Sequence, residues 1–126
     1  MAGTGNLILN SLFKPRTMIT QIKNCSDLTD ILLNVIRKKP GMFLGKNNIW
    51  SLSTFLNGYE MATMMYRDNM DSFYSENGFK KWFLTIKNAH NVSFWEIPLI
   101  EEAEGDETKA LELFFNYLEE YQNSIK

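Results

Sequence analysis

The 126-residue chain holds one cysteine, Cys25, and one histidine, His90. A single cysteine excludes an internal disulfide and fits a reducing, cytoplasmic compartment. One Cys and one His cannot assemble a zinc site. Cys25 lies just ahead of a helix-start signal and reads as a half-buried structural thiol, with a reactive thiol as the alternative. His90 sits in a polar break between two helical patterns with no nucleophile near it, so it reads as a solvent-exposed loop residue rather than a general base. No apolar run approaches the roughly 18 residues of a membrane span. A regular strand alternation, an internal repeat, a low-complexity tract and a domain linker are all missing. These absences argue against an enzyme, a cofactor, a metal, a small-molecule substrate and a membrane partner.

What the chain does contain is apolar and aromatic: 44% hydrophobic residues, nine Phe and three Trp. That composition argues against disorder, and the length suits one domain with a real core. The formal net charge of −2 conceals an asymmetry. Residues 1–50 carry seven Lys/Arg against two acids, and residues 51–126 carry six against 13. An uneven field of this kind steers charged partners.

Residues 1–24 are expected to be an N-terminal extension or a short docked segment, with Met18 as an alternative start and no signal-peptide pattern. Residues 25–126 form the helical domain. Leu28, Ile31, Leu32, Val35 and Ile36 make one apolar stripe and predict a helix over 27–38, capped by Ser26 or Asp27. Arg37, Lys38 and Lys39 suit its C-terminal dipole, and Pro40-Gly41 stops it. Met42 to Leu44 is too short for an element of its own and is expected to tuck under its neighbours. Ser51 is a plausible cap for the next helix, whose stripe is Leu52, Phe55, Leu56, Tyr59, Ala62, Met65 and Tyr66. Gly58 inside that helix suggests close approach of Met42–Leu44, so Gly58→Leu is expected to overpack by roughly 1–3 kcal/mol. Residues 69–77 are a polar connection. Gly78 opens a short helix with Phe79, Trp82, Phe83 and Ile86 at helical spacing and Lys80, Lys81 and Lys87 outward. Ser93 and Glu96 match a capping box, with Pro98 shortening or kinking the helix it starts. After a turn at Gly105, Asp106 caps the last helix. Its face is Ala110, Leu111, Phe114, Leu118 and Tyr121, widened by Leu113 and Tyr117. The fold class is therefore all-α, a compact single-domain bundle of about five helices.

Two resemblances converge on IRKKPGMFLG. Arg37, Lys38, Pro40, Gly41, Met42 and Gly45 match a segment near the nucleotide site of type II topoisomerase ATPase subunits. The Asp-x-Gly-x-Gly loop and the magnesium-binding Asn helix of those ATPases are not found here, so that reading is set aside. The longer match is Pro40-Gly41-Met42-Phe43-Leu44-Gly45, then Leu52, Phe55, Gly58-Tyr59 and Trp95, then Ala110-Leu111-x-Leu113-Phe114-Phe115. It resembles a family of small bacterial proteins with an R-P-G-M-Y-L-G…G-Y pattern, some similar to immunity proteins of contact-dependent inhibition and related polymorphic toxin systems. Phe43 replaces the usual Tyr.

The resemblance implies an immunity protein that binds a cognate toxin, a nuclease domain by expectation, and occludes its active or substrate-binding site without a cofactor. A helical adaptor with another protein partner is the alternative. The aromatic clusters Phe79/Trp82/Phe83 and Phe94/Trp95 fit burial better than base stacking, and the acidic C-terminal half disfavours nucleic acid. Glu101, Glu102, Glu104, Asp106 and Glu107 lack the spacing of an EF-hand. Together with Glu112, Glu119 and Glu120 they form the expected partner-binding surface. Reversing Glu101, Glu102 and Glu104 to Lys is expected to slow association and leave folding intact.

Overall fold

The computed structural model describes residues 27–66 and 78–125; of 63, 64 and 66 it describes the backbone alone. The expectations for residues 1–26, including Cys25 and Met18, and for the connection 69–77 lie outside the described residues. Six α-helices and no strands are found within them. The helices are α1 (Leu28–Asn34), α2 (Pro40–Leu44), α3 (Ile49–Tyr66), α4 (Phe79–Ile86), α5 (Ile97–Glu102) and α6 (Glu107–Ser124), with a 3-10 turn at Ile36–Lys38. None is long and apolar enough to cross a membrane.

The last helix organises the rest. Asp106 caps it by accepting from the backbone N–H of Thr108 and Lys109, both at 3.0 Å. Its stripe of Ala110, Leu111, Phe114, Phe115, Leu118 and Tyr121 is buried. Helices α1, α3, α4 and α5 all pack on it. With the 3-10 turn they contribute Leu28, Leu32 and Ile36, then Ile49, Leu52 and Leu56, then Phe79 and Phe83, then Leu99 on α5. Phe79 sits among five rings, those of Trp82, Phe83, Trp95, Phe114 and Tyr121, at centroid distances of 5.3–6.5 Å. Edge-to-face and offset geometries at such distances add to the area term.

The first helix is shorter than its apolar stripe. The α form ends at Asn34, and the chain tightens into 3-10 at Ile36–Lys38. Asp27 is the cap, accepting from Asp30 N–H at 2.9 Å. Lys39, ahead of Pro40, lies at φ −143° and ψ 62°, outside the helical region, as the proline ring requires. Pro40-Gly41 does more than stop α1. Proline is pre-organised for a first helical position, and Pro40 to Leu44 form a helical turn of their own. Gly45, at φ 84°, closes it by donating to Gly41 O at 3.0 Å. Phe43 and Leu44 reach the core from this turn, whereas Met42 is 42% exposed.

Three further expectations are corrected. The cap of α3 is Asn48, whose Oδ1 accepts from Ser51 N–H at 2.9 Å, so Ser51 lies inside the helix. Burial along α3 stops after its first half: Leu52 and Leu56 are buried, but Ala62 and Met65 are exposed. Gly58 is exposed, and a Cβ built there meets nothing within 4 Å. No close approach explains it, and Gly58→Leu has no neighbour to overpack. Gly58→Ala should instead raise stability by about 0.5–1 kcal/mol by removing unfolded-chain entropy, read as a higher denaturant midpoint at unchanged m-value. A lower midpoint would show a packing role for the bare backbone.

On α4, Gly78 is the cap as expected, but Ile86 is 47% exposed and the buried pair is Phe79 and Phe83. Of the three lysines expected to face outward, Lys81 is exposed, whereas Lys80 and Lys87 are half-buried. Phe94, expected to be buried with Trp95, is 58% exposed.

Candidate protein interface

The segment after α1 meets the surface of α6. Arg37 and Pro40 on one side, and Leu111, Glu112, Phe115 and Asn116 on the other, line a hollow of about 350 Å³. Arg37 reaches across it. Its Nη1 is 2.5 Å from Glu119 Oε2, and its Nη2 donates to Asn116 Oδ1 at 2.9 Å. The pair is part-exposed, at 34% and 53% for the two side chains. An ion pair of this exposure adds at most about 1 kcal/mol. Its use is geometric, tying the 3-10 turn after α1 to α6.

The eight acids expected at the interface divide into several groups. Glu112, Glu119 and Glu120 share the solvent face of α6, because positions seven and eight apart return to the same side. All three are exposed, and Glu112 and Glu120 make no ion pair among the described residues. Asp106 is spent on the cap, and Glu107 is exposed in the first turn of α6. Glu101 and Glu102 end α5, and Glu104 follows at φ 56° with Gly105 at φ 88°, which turns the chain into α6. At about 100° per residue, Tyr117 lies roughly 200° around the helix from Glu119. Glu102 meets α6 at Tyr117, so these acids stand on a different side from Glu119.

Glu102 is the centre of a network. Lys87 Nζ forms an ion pair with it. Tyr117 donates its hydroxyl to Glu102 Oε1 at 2.5 Å, and Lys87 Nζ lies 4.8 Å from the Tyr117 ring centroid. The hydrogen bond from Lys87, then that from Tyr117, holds the Glu102 carboxyl below its ordinary 4.5 against the opposing effect of burial. For Lys87, burial alone would lower the pKa, but the hydrogen bonds to Glu102 and Tyr117 outweigh it and raise it above 10.5. Burial, then the Glu102 hydrogen bond, raises Tyr117 above 10.0. A depressed carboxyl contributes stability above its unfolded pKa and loses it as pH falls through the folded one. Raised groups contribute below their unfolded pKa and lose it as pH rises. The network is therefore at full strength between about pH 4.5 and 10. Glu102→Gln should cost about 0.5–1 kcal/mol at neutral pH, and the gap to wild type should close in melts taken progressively below pH 4.5. A gap independent of pH would assign the loss to shape rather than charge. Because Glu102 does this, reversing Glu101, Glu102 and Glu104 together carries a folding cost that the sequence did not reveal.

A second concave surface lies between α3, α4 and the loop leading to α5. This cleft, of about 740 Å³, is lined by Trp50, Ser53, Phe94 and Glu96 among others, with His90 exposed at its edge. Trp50 and Phe94 meet edge to face at 6.2 Å. Glu96 is 3% exposed and accepts from the Ser53 hydroxyl through Oε2. Its Oε1 is buried and has no hydrogen-bond partner. An unsatisfied buried acceptor of this kind costs about 1–3 kcal/mol, more when charged. The capping-box reading of Ser93 and Glu96 is thus overturned: α5 begins at Ile97, with Pro98 in its first turn and no side-chain cap. Glu96 stands at the cap position instead of the third helical one, and turns inward. Ser53 gives no signal in the sequence, because it borders the Leu52/Leu56 stripe and carries no pattern of its own. Among the described residues no group of three His, Cys, Asp or Glu side chains is placed to hold a metal ion. Set against family models, curated proteins and solved structures, the chain finds no match in any of the three.

Proposed function

We propose that this chain is an immunity-type protein that binds a cognate bacterial toxin, a nuclease domain, in the cytoplasm and neutralises it by covering its active or substrate-binding site. The observation that carries this reading is the acidic solvent face of α6, with Glu112, Glu119 and Glu120 exposed on a helix whose opposite face is anchored in the core. A rigid acidic surface complements the basic cleft with which a nuclease holds phosphates. The hollow lined by Pro40 on one side and Leu111 and Phe115 on the other adds support, since these residues belong to the two stretches that resemble the immunity-like family. Occlusion needs no bond-making step, and no residue here is assigned one.

The test is co-expression with the product of the neighbouring open reading frame. Co-purification of a stable complex, together with growth protection from that product's toxicity, is the expected result. A complex without protection would favour the helical adaptor. Toxicity unrelieved and no complex would remove the assignment.

A further inference from the structure

The acidic face of α6 leaves the cleft between α3, α4 and the 88–96 loop unused, and the cleft has a specific chemical feature. Glu96 lines it, is almost wholly buried, and holds one carboxylate oxygen on Ser53 while the other has no donor. Native proteins rarely leave a buried acceptor unpaired without a use. Trp50 and Phe94 stand on the same cleft with their rings edge to face, and Phe94 is largely exposed. A carboxyl acceptor and aromatic rings lining one cleft suit an organic cation, through a charge-assisted hydrogen bond and a cation–π contact. A metal ion needs several oxygen ligands, and no such group is assembled among the described residues.

We propose that this cleft receives a basic side chain, arginine or lysine, of the protein partner: the Glu96 carboxylate, whose Oε1 is covered in the free protein, turns toward the cleft it lines, the N–H group supplies the donor that Oε1 lacks, and the alkyl stem lies along Trp50 and Phe94. This deepens the toxin-binding reading and rests on it for the identity of the partner. An exposed aromatic at the rim of a polar pocket is the kind of anchor point that protein interfaces bury. Lys80 and Glu60 also line the cleft, so its charge is mixed and selection falls to the buried carboxylate. Glu96 then acts at the floor of a pocket, separate from the long-range pull of Glu112 and Glu120.

The experiment uses the protein alone. N-acetyl-arginine amide, N-acetyl-lysine amide and uncharged N-acetyl-citrulline amide are titrated while the Trp50 indole and the Ser53 and Phe94 amides are followed by NMR. The expected result is a saturable, weak shift at these positions with the arginine or lysine amide, at least tenfold weaker with citrulline. Glu96→Gln keeps the shape and one acceptor oxygen but loses the charge, and should weaken the cation at least tenfold while a cooperative melt persists. No saturable shift with either cation in the wild type overturns the proposal. So do equal affinity for citrulline, unchanged affinity in a folded Glu96→Gln, or shifts centred on Glu112 and Glu120. The titration needs no toxin, so an empty cleft leaves the toxin assignment standing, and a failed toxin assay leaves a bound cation standing.

Discussion

Phe79→Ala should cost about 3–5 kcal/mol, the range for removing a buried aromatic. Phe79 is fully buried and contacts rings from α4, from α6 and from the segment holding Trp95. Its loss opens a cavity where these elements meet, and the remaining rings are already packed against one another, so little collapse can fill it. A domain of this size has roughly 5–15 kcal/mol of stability in all. The melting temperature should accordingly fall by on the order of 10–20 °C, with near-ultraviolet dichroism weakened before helicity is lost. Phe94→Ala is the internal comparison: Phe94 is largely exposed, and its removal should stay within about 0.5 kcal/mol. Similar small losses for both would mean that Phe79 is not the packing centre.

Reversing Glu112 and Glu120 to Lys together should slow association with the proposed toxin partner at low salt by roughly tenfold or more. Both side chains are exposed on the solvent face of α6 and pair with nothing among the described residues. The double variant should therefore melt close to wild type, which separates a binding defect from a folding one. Steering acts over about the Debye length, near 10 Å at 0.1 M salt. The wild-type rate should fall steeply with added salt, and the variant's should be nearly flat. Dissociation should change less than association, because rim charges act mainly on encounter. A wild-type association rate for the variant at low salt would take this face out of the interface, and the toxin assignment would then rest on the cleft and on growth protection.

Legibility varied with the reach of the interaction. The last helix was the most readable: Asp106 as cap and Ala110, Leu111, Phe114, Leu118 and Tyr121 as the buried face are where the pattern puts them, although Phe115 is buried beside them and Leu113 and Tyr117 are only half-buried. Both signals act within four residues. The end of α1 was less readable, because Val35 and Ile36 point to the core whether the chain is α-helical or 3-10. Met42–Leu44 has too few residues to show a period, so its helical turn follows from Pro40 and Gly45 at its two ends. At Ser93 and Glu96 a local pattern misled. Capping-box spacing holds only if the helix begins just after Ser93, and here it begins at Ile97.

By itself the sequence determined the all-α class, the caps at Gly78 and Asp106 and the separation of basic and acidic halves, since each depends on neighbours along the chain. Only the tertiary structure decided which acids are engaged and which are open. Glu102 meets Tyr117 across 15 residues, Arg37 meets Glu119 across 82, and Ser53 meets Glu96 across 43. Such pairings depend on how helices are set against α6. Periodicity reports only that a face is buried, and leaves the partner across it unnamed.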